Sequence, residues 1–228
     1  NMNIGSGGTS SNGAAIYVKK DFLLEGGILD ARVGFSNRVG DLYFNGTAEQ
    51  KFVNSGSILG QLNYHLSAGS KVRISDGQAF VGKSFECGDL TGGATLVVES
   101  IDPLGAIQKG VSAGGNIRVT TQTFRPGSAI VYGAAARQFI GIGHPAGTGV
   151  NCVIENSYGV EVCAAASTLI IGGNLEILQG SLLVTANNLT VRGNLLLSGG
   201  SLNLNSTQLT SSVTLTVDGR TDLSGADM

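Results

Sequence analysis

The chain has 228 residues, with 36 glycines, 3 prolines and no tryptophan; 13 % of residues are charged, 42 % are hydrophobic and the net charge is −2. Glycine is neither every third residue nor joined by abundant proline, which excludes collagen, and the apolar content is that of a chain able to build a core, which excludes disorder. The absence of a basic cluster argues against phosphate-directed nucleic-acid binding, and the longest uncharged stretch, Gly193 to Val217, is too interrupted by Ser, Thr, Asn and Gly for a membrane-spanning helix.

Helical periodicity is almost absent. From the N-terminus, Val18 to Leu29 is the first patterned segment, and its spacing matches Val191 to Leu202. Phe44 to Phe52 corresponds to Val131 to Phe139 at an offset of 87, Asn63 to Ile74 to Asn151 to Val162 at 88, and Val81 to Phe85 to Ile171 to Leu175 at 90. Gly115 to Val119 is a weaker copy of the short motif. Towards the C-terminus, Leu169/Ile171, Leu175/Ile177, Leu182/Val184, Leu189/Val191, Leu195/Leu197, Leu202/Leu204 and Val213/Leu215/Val217 alternate with period two between Gly, Asn and Ser, the signature of short strands. Gly173 to Val184 recurs twenty residues on as Gly193 to Leu204, and Leu189-Thr190 is echoed by Leu209-Thr210.

A period near twenty with two or three short strands is one coil of a right-handed parallel β-solenoid, whose stacked coils satisfy one another's backbone groups. At about 4.8 Å per coil, roughly eight to eleven coils make a rod of about 40–55 Å. The expected organisation is a lead-in over 1–15, a first solenoid unit over 16–112 and a second over 113–228, in one continuous stack. Two tandem β-sandwiches are the alternative that the long period allows. Gly173, Asn174, Gly180, Gly193, Asn194 and Gly200 are the expected corner residues: glycine because corners often need φ > 0, asparagine because it tolerates that region and its amides can form a ladder. Phe44, Asn45, Gly46 and Gln50, with Tyr132, Gly133 and Gln138, mark the long repeat. The pairs Phe52/Phe139 and Phe85/Leu175 are expected to stack in the core.

Chemistry-bearing residues are sparse. His65 is expected to point outward between inward-facing Tyr64 and Leu66, and His144 to sit in a loop, Gly141 to Gly147, without acidic neighbours. Cys87 and Cys152 fall at inward positions and are expected to be buried free thiols; a Cys152–Cys163 disulfide across a corner is the alternative. Asp218, Asp222 and Asp227 lack calcium-loop spacing, and the run Ala113 to Asn116 lacks a phosphate-loop pattern. Lys71, Arg73 and Lys83 could form a basic ridge, interleaved with Asp76, Glu86 and Asp89. No catalytic, cofactor-binding or metal-binding residue is expected; a carbohydrate-active β-helix enzyme is the lesser alternative.

Phe44 to Gln50 resembles the F-N-G-T-x-x-Q element of large, repeat-rich β-solenoid surface proteins and adhesins of Bacteroidota. Thr123 to Gly133 is similar to the segment preceding that element, and Gly159 to Val162, Gly173 to Leu175 and Gly180 to Leu182 resemble its glycine–valine and G-N-L rungs. The resemblance runs from about Ile16 to Leu223. It implies an exported, extracellular or cell-surface structural or adhesive protein, delivered by a type IX secretion-like route. The second copy departs from it in reading Tyr132-Gly133-Ala134, and no C-terminal sorting domain is visible. A virion tail-spike, fibre or decoration protein is the alternative. Expected partners are further chain of a parent protein or neighbouring subunits, with surface glycans as candidate ligands, and neither nucleic acid nor membrane insertion. The chain starts Asn1-Met2-Asn3 without a signal peptide and is expected to be a mature product, fragment or internal segment with at least one end against more chain or another subunit. Up to Arg137 there are twelve basic and ten acidic residues, and beyond it two and six, a surface suited to close lateral neighbours.

Overall fold

The computed structural model describes residues 2–3, 15–31, 39–108, 110, 114–163, 168–185, 188–205 and 213–225. Short strands follow one another around a common axis. After β1 (Met2–Asn3), the first full turn holds β2 (Ala15–Val18), β3 (Phe22–Leu24) and β4 (Ile28–Asp30). The second holds β5 (Val39–Phe44), β6 (Glu49–Asn54) and β7 (Ser57–Leu59). Then come β8 (Gln61–Leu66) with β9 (Lys71–Ile74), β10 (Phe80–Cys87) with β11 (Thr95–Val98), and β12 (Ile117–Phe124) with β13 (Ala129–Tyr132) and β14 (Gln138–Ile140). The later turns are formed by β15 (Asn151–Val162), by β16 (Thr168–Ile171) and β17 (Leu175–Val184), and by β18 (Asn188–Val191), β19 (Leu195–Leu197) and β20 (Gly200–Leu204), ending in β21 (Leu215–Val217) and β22 (Thr221–Asp222).

Every pairing between these strands is parallel, from β1 with β4 to β19 with β22. The result is an all-β solenoid of about eight turns, without a helix among the described residues. Parallel stacking rules out tandem sandwiches, whose sheets are antiparallel. One face carries the sheet β2-β5-β8-β10-β12 and, further along, β16-β18-β21. The second carries the path β3-β6-β9-β11-β13-β15-β17-β19-β22 without a break. The third starts as β1-β4-β7 and resumes with β14, the second halves of β15 and β17, and β20.

Alternation decides what enters the core. Leu62, Tyr64 and Leu66 are buried while the residues between them are half-buried on the outside, and Cys152 and Ile154 repeat the pattern. The early core is aromatic: Phe44, Phe52, Tyr64, Phe80 and Phe85 pack with ring centroids 4.4–6.3 Å apart. The late core is aliphatic, stacking Leu175 on Leu195 and Leu182 on Leu202. These two pairs confirm the twenty-residue turn. Leu189 and Thr190, however, pair with Leu215 and Thr216, so that turn is longer than the echo at Leu209-Thr210 suggested; the latter two lie outside the described residues.

The long repeat has a consequence for geometry. Phe44 ends a first-face strand and Tyr132 a second-face strand, while Asn63–Ile74 spans the first and second faces and Asn151–Val162 the second and third. The duplicated unit is therefore three turns plus one face, so the copies are rotated by one side about the axis. The structural equivalence is 88 residues at the Phe44 marker, one more than the 87 read there; it stays 88 through Asn63–Ile74 and widens to 90 at Phe85/Leu175, as read. Phe139 is displaced accordingly: it lies half-buried on the outside under Arg137, whose Cζ is 5.6 Å from its ring centroid, while Ile140 takes the inward place matching Phe52. A one-residue slip exchanges the two faces of a strand. Phe85 and Leu175 are both inward and buried, as expected.

Candidate functional site

The corners hold most of the polar side-chain chemistry inside the structure. Gln50 is buried; its Oε1 accepts the Gly46 N–H at 2.8 Å, and its Nε2 donates to Val18 O at 2.9 Å and Lys20 O at 2.7 Å. Gln138 does the same between the next two faces, accepting the Ala134 N–H at 3.2 Å and donating to Val98 O at 2.8 Å. Each clamps a corner onto the end of the preceding turn. The other markers support these clamps: Phe44 and Tyr132 are buried just before them, and Asn45 donates its N–H to Val18 O and Gly133 to Val98 O.

A second device runs through Asn174 and Asn194. Asn151 Oδ1 accepts the Asn174 N–H at 2.9 Å, Asn174 Oδ1 the Asn194 N–H at 2.8 Å, and Asn194 Oδ1 the Arg220 N–H at 2.9 Å. The ladder is thus side chain to backbone, not amide to amide. Neither asparagine has positive φ; among the described residues only glycines do. Of the four glycines expected to turn corners through φ > 0, only Gly180 does so, at 73°. The others are glycines because of crowding: a Cβ on Gly173 would lie 2.5 Å from Asn151 Oδ1, one on Gly193 2.5 Å from Asn174 Oδ1, and one on Gly200 2.6 Å from Gly180 O. Asn151 was not distinguished in the sequence from any other strand asparagine. Nor was Asn116, which is fully buried, donates through Nδ2 to Ser75 O and Gln78 O, and accepts the Glu99 and Ser100 N–H groups. It stitches the loops that replace strands on the third face.

The outer side of the first face carries a polar column and an aromatic one. Ser84 Oγ donates to Asn63 Oδ1 at 2.6 Å, and Asn63 Nδ2 to Asp41 Oδ1 at 2.9 Å. Tyr17, Tyr43 and His65 stack in parallel, with centroids 4.9 and 4.4 Å apart. His65 points outward as expected, with Nε2 3.1 Å from Asp41 Oδ1 and Nδ1 3.5 Å from Glu86 Oε2, and Glu86 also takes Arg125 Nε at 2.8 Å. The ring faces cover one another, so the stack presents edges and hydroxyls to solvent. Burial and the Asp41 carboxylate push the Tyr43 hydroxyl pKa up.

On the second face, Lys71 Nζ lies 2.8 Å and Arg73 Nε 2.6 Å from Glu49, and Arg73 also pairs with Glu99. The expected basic ridge is therefore not assembled: Lys71 and Arg73 are neutralised by Glu49 and Glu99, not by Asp76 or Asp89, and Lys83 stands exposed on the first face in β10. Arg73, with Lys71, holds the Glu49 carboxyl down at about 2. Asp89 instead accepts the Ala68 and Thr91 N–H groups, which lowers its pKa to about 2. Asp222 caps Ser224 and pairs with Arg220, and Asp227 lies outside the described residues. Among the described residues no three His, Cys, Asp or Glu side chains are grouped to hold a metal. Cys87, Cys152 and Cys163 are free and buried; burial raises the Cys87 thiol to about 12 and raises Cys152 as well.

His144 departs from its sequence expectation. It does lie in a loop, but its ring enters the core, where Nδ1 is 2.9 Å from the Tyr132 hydroxyl and Nε2 has no partner. Burial lowers its pKa to about 4. The loop occupies the first face at a turn where, among the described residues, that face has no strand, and a cleft of about 470 Å³ opens there. Gly141-Ile142-Gly143-His144-Pro145 cannot easily continue the sheet, since glycine weakens strands and proline lacks the N–H of a ladder bond.

Comparison with protein-family models, with curated proteins and with solved structures returned no match to the chain.

Proposed function

We propose that the chain is a non-catalytic structural or adhesive segment of a large extracellular or cell-surface repeat protein. The observation that carries this reading is the unbroken parallel path on the second face, locked at its corners by Gln50, Gln138 and the Asn151–Asn174–Asn194 ladder. Such a stack transmits load along its axis through backbone hydrogen bonds, each turn being supported by its neighbours. The neutralised Lys71–Arg73 surface and the self-satisfied outer column of Asp41, Asn63 and Ser84 support a scaffold whose contacts are made by its outer faces and loops. Surface glycans and neighbouring subunits are the partners proposed for those faces.

Antibodies raised against the purified chain test the location. Labelling of intact producing cells is expected; labelling only after permeabilisation overturns it. Sedimentation of the same sample as a symmetric trimer would favour a virion fibre or spike, and turnover of an acidic polysaccharide would overturn the non-catalytic assignment.

A further inference from the structure

The cleft at the loop Gly141–Val150 has walls that a sheet would normally close. β12 is the last strand of its sheet and pairs through its length with β10 alone, apart from one bridge between Ile107 and Ile117. β16 is the first strand of the next sheet and pairs with β18 alone. Across the same three turns the second face is continuous through β13, β15 and β17. That continuity places β12 and β16 two strand spacings apart, about 9.6 Å. The chain crossing between them makes a turn, His144 N–H to Gly141 O at 3.1 Å, and rejoins the stack just past the strand ends, where Gly149 accepts the Gly127 N–H and donates to Gly172 O, both at 2.8 Å; among the described residues no strand pairing joins it to β12 or β16 themselves.

The cleft therefore lies between two parallel strand edges. Its volume of about 470 Å³ falls in the usual range for ligand sites, roughly 300–1,000 Å³. Thr120 and Gln122 line it from β12, Thr168 and Leu169 from β16, and Ile142, 46 % exposed, stands on the loop side. His144 adds a second observation. Its Nδ1 is 2.9 Å from the Tyr132 hydroxyl, and its buried Nε2 has no partner among the described residues. Among the described residues no charged side chain lines the cleft.

We propose that this cleft binds an extended polypeptide segment of a partner protein, held by main-chain pairing to the edges of β12 and β16. Main-chain bonds supply the attraction in strand addition, and alternate side chains entering the cleft supply selectivity. Here the inward positions are bordered by Phe124 and Leu169 and the outward ones by Thr120 and Thr168, with Ile142 exposed at the rim, so the segment should alternate aliphatic with small polar residues. This goes beyond the scaffold assignment and does not depend on it.

The test is amide hydrogen exchange of the purified chain with acetylated, amidated five-residue peptides alternating Thr with Val or Leu, at millimolar concentration. At least tenfold slower exchange within residues 118–124 and 168–171 is expected. The same peptides with every second amide N-methylated are expected to give none. In Ile142→Trp, which fills the cleft from an exposed position, protection should disappear while the melting temperature stays unchanged. Equal protection by the methylated peptides would show a pocket that recognises side chains alone and would overturn the proposal. So would protection that survives Ile142→Trp, or the absence of protection by every peptide in the series.

Discussion

Replacing Gln50 by leucine tests the corner clamp most directly. The side chain is buried and its size is roughly kept, so the change removes hydrogen bonds with little cavity. Three groups lose a partner. Val18 O keeps the Asn45 N–H at 3.0 Å, and Lys20 is exposed, so its carbonyl can turn to water. The Gly46 N–H is buried and Gln50 Oε1 is its acceptor. One orphaned buried donor costs about 1–3 kcal/mol, and two ordinary bonds about 1 kcal/mol more between them once water replaces part of each. A loss near 3 kcal/mol lowers the melting temperature by roughly 6–12 °C for a chain of this size. Because turns interact with their neighbours, exchange should accelerate first within residues 15–24 and 39–54. Gln50→Glu separates chemistry from shape. It places a second oxygen against Val18 O and Lys20 O, so its folded pKa rises above the unfolded value of about 4.3. The folded state then binds the proton more tightly, and stability falls as pH rises through that window. Gln50→Leu should show no such pH dependence. If it melts within about 2 °C of the parent with Gly46 still protected, the glutamine clamp contributes nothing and the reasoning fails.

Gly193→Ala should destabilise by about 1–3 kcal/mol through overpacking, since its Cβ meets Asn174 Oδ1 and Gly173 O, whereas Gly69→Ala, at φ 75° with open space around it, should cost only the left-handed penalty of about 1–2 kcal/mol; equal urea midpoints with wild type for Gly193→Ala would contradict the crowding. Asn174→Ala should speed exchange of the Asn194 amide at least fivefold while Asn174→Asp, which keeps the acceptor, leaves it protected. His144 is held neutral down to about pH 4 in the folded state but titrates near 6.5 when unfolded. The unfolded chain therefore binds more protons in that window, and stability falls by about 2–3 kcal/mol as pH drops from 7 to 4.5; His144→Gln should abolish that part of the urea-midpoint shift. Glu49, with its depressed pKa, contributes stability above about pH 4.5 that is lost as pH falls towards about 2. The group is exposed enough for screening to hold the effect below about 1 kcal/mol, and Arg73→Gln combined with 0.5 M salt should remove it.

Much of the core was legible because alternation is a local property. Tyr64, Leu66, Cys152 and Ile154 face inward as their spacing requires, and Gly173 to Val184 stacks on Gly193 to Leu204 because both copies keep the same turn length. The corner residues were legible as corners but not in their cause. Crowding at Gly173 and Gly193 comes from the preceding turn, and a lone segment carries no record of what lies above or below it. The polar partners failed for the same reason: Arg73 finds Glu49 and Glu99, 24 residues before and 26 after it, because stacking sets the register. His144 looked like any loop histidine, and its place in the core depends on Tyr132 reaching it from another face.

The amino-acid order by itself determined that the chain coils with strands of period two, turns of about twenty residues and a duplicated unit, since each depends on which residues alternate and recur. Only the tertiary structure decided that the duplicated units are rotated by one face, that Phe139 lies outside where Ile140 lies inside, and that the first face breaks at Gly141 to Val150. These depend on how a whole number of turns accumulates around the axis. The turns tolerate unequal length, since β12 still stacks on β10 across a 37-residue turn where β10 stacks on β8 after 21, so local alternation carries no record of which face a strand joins.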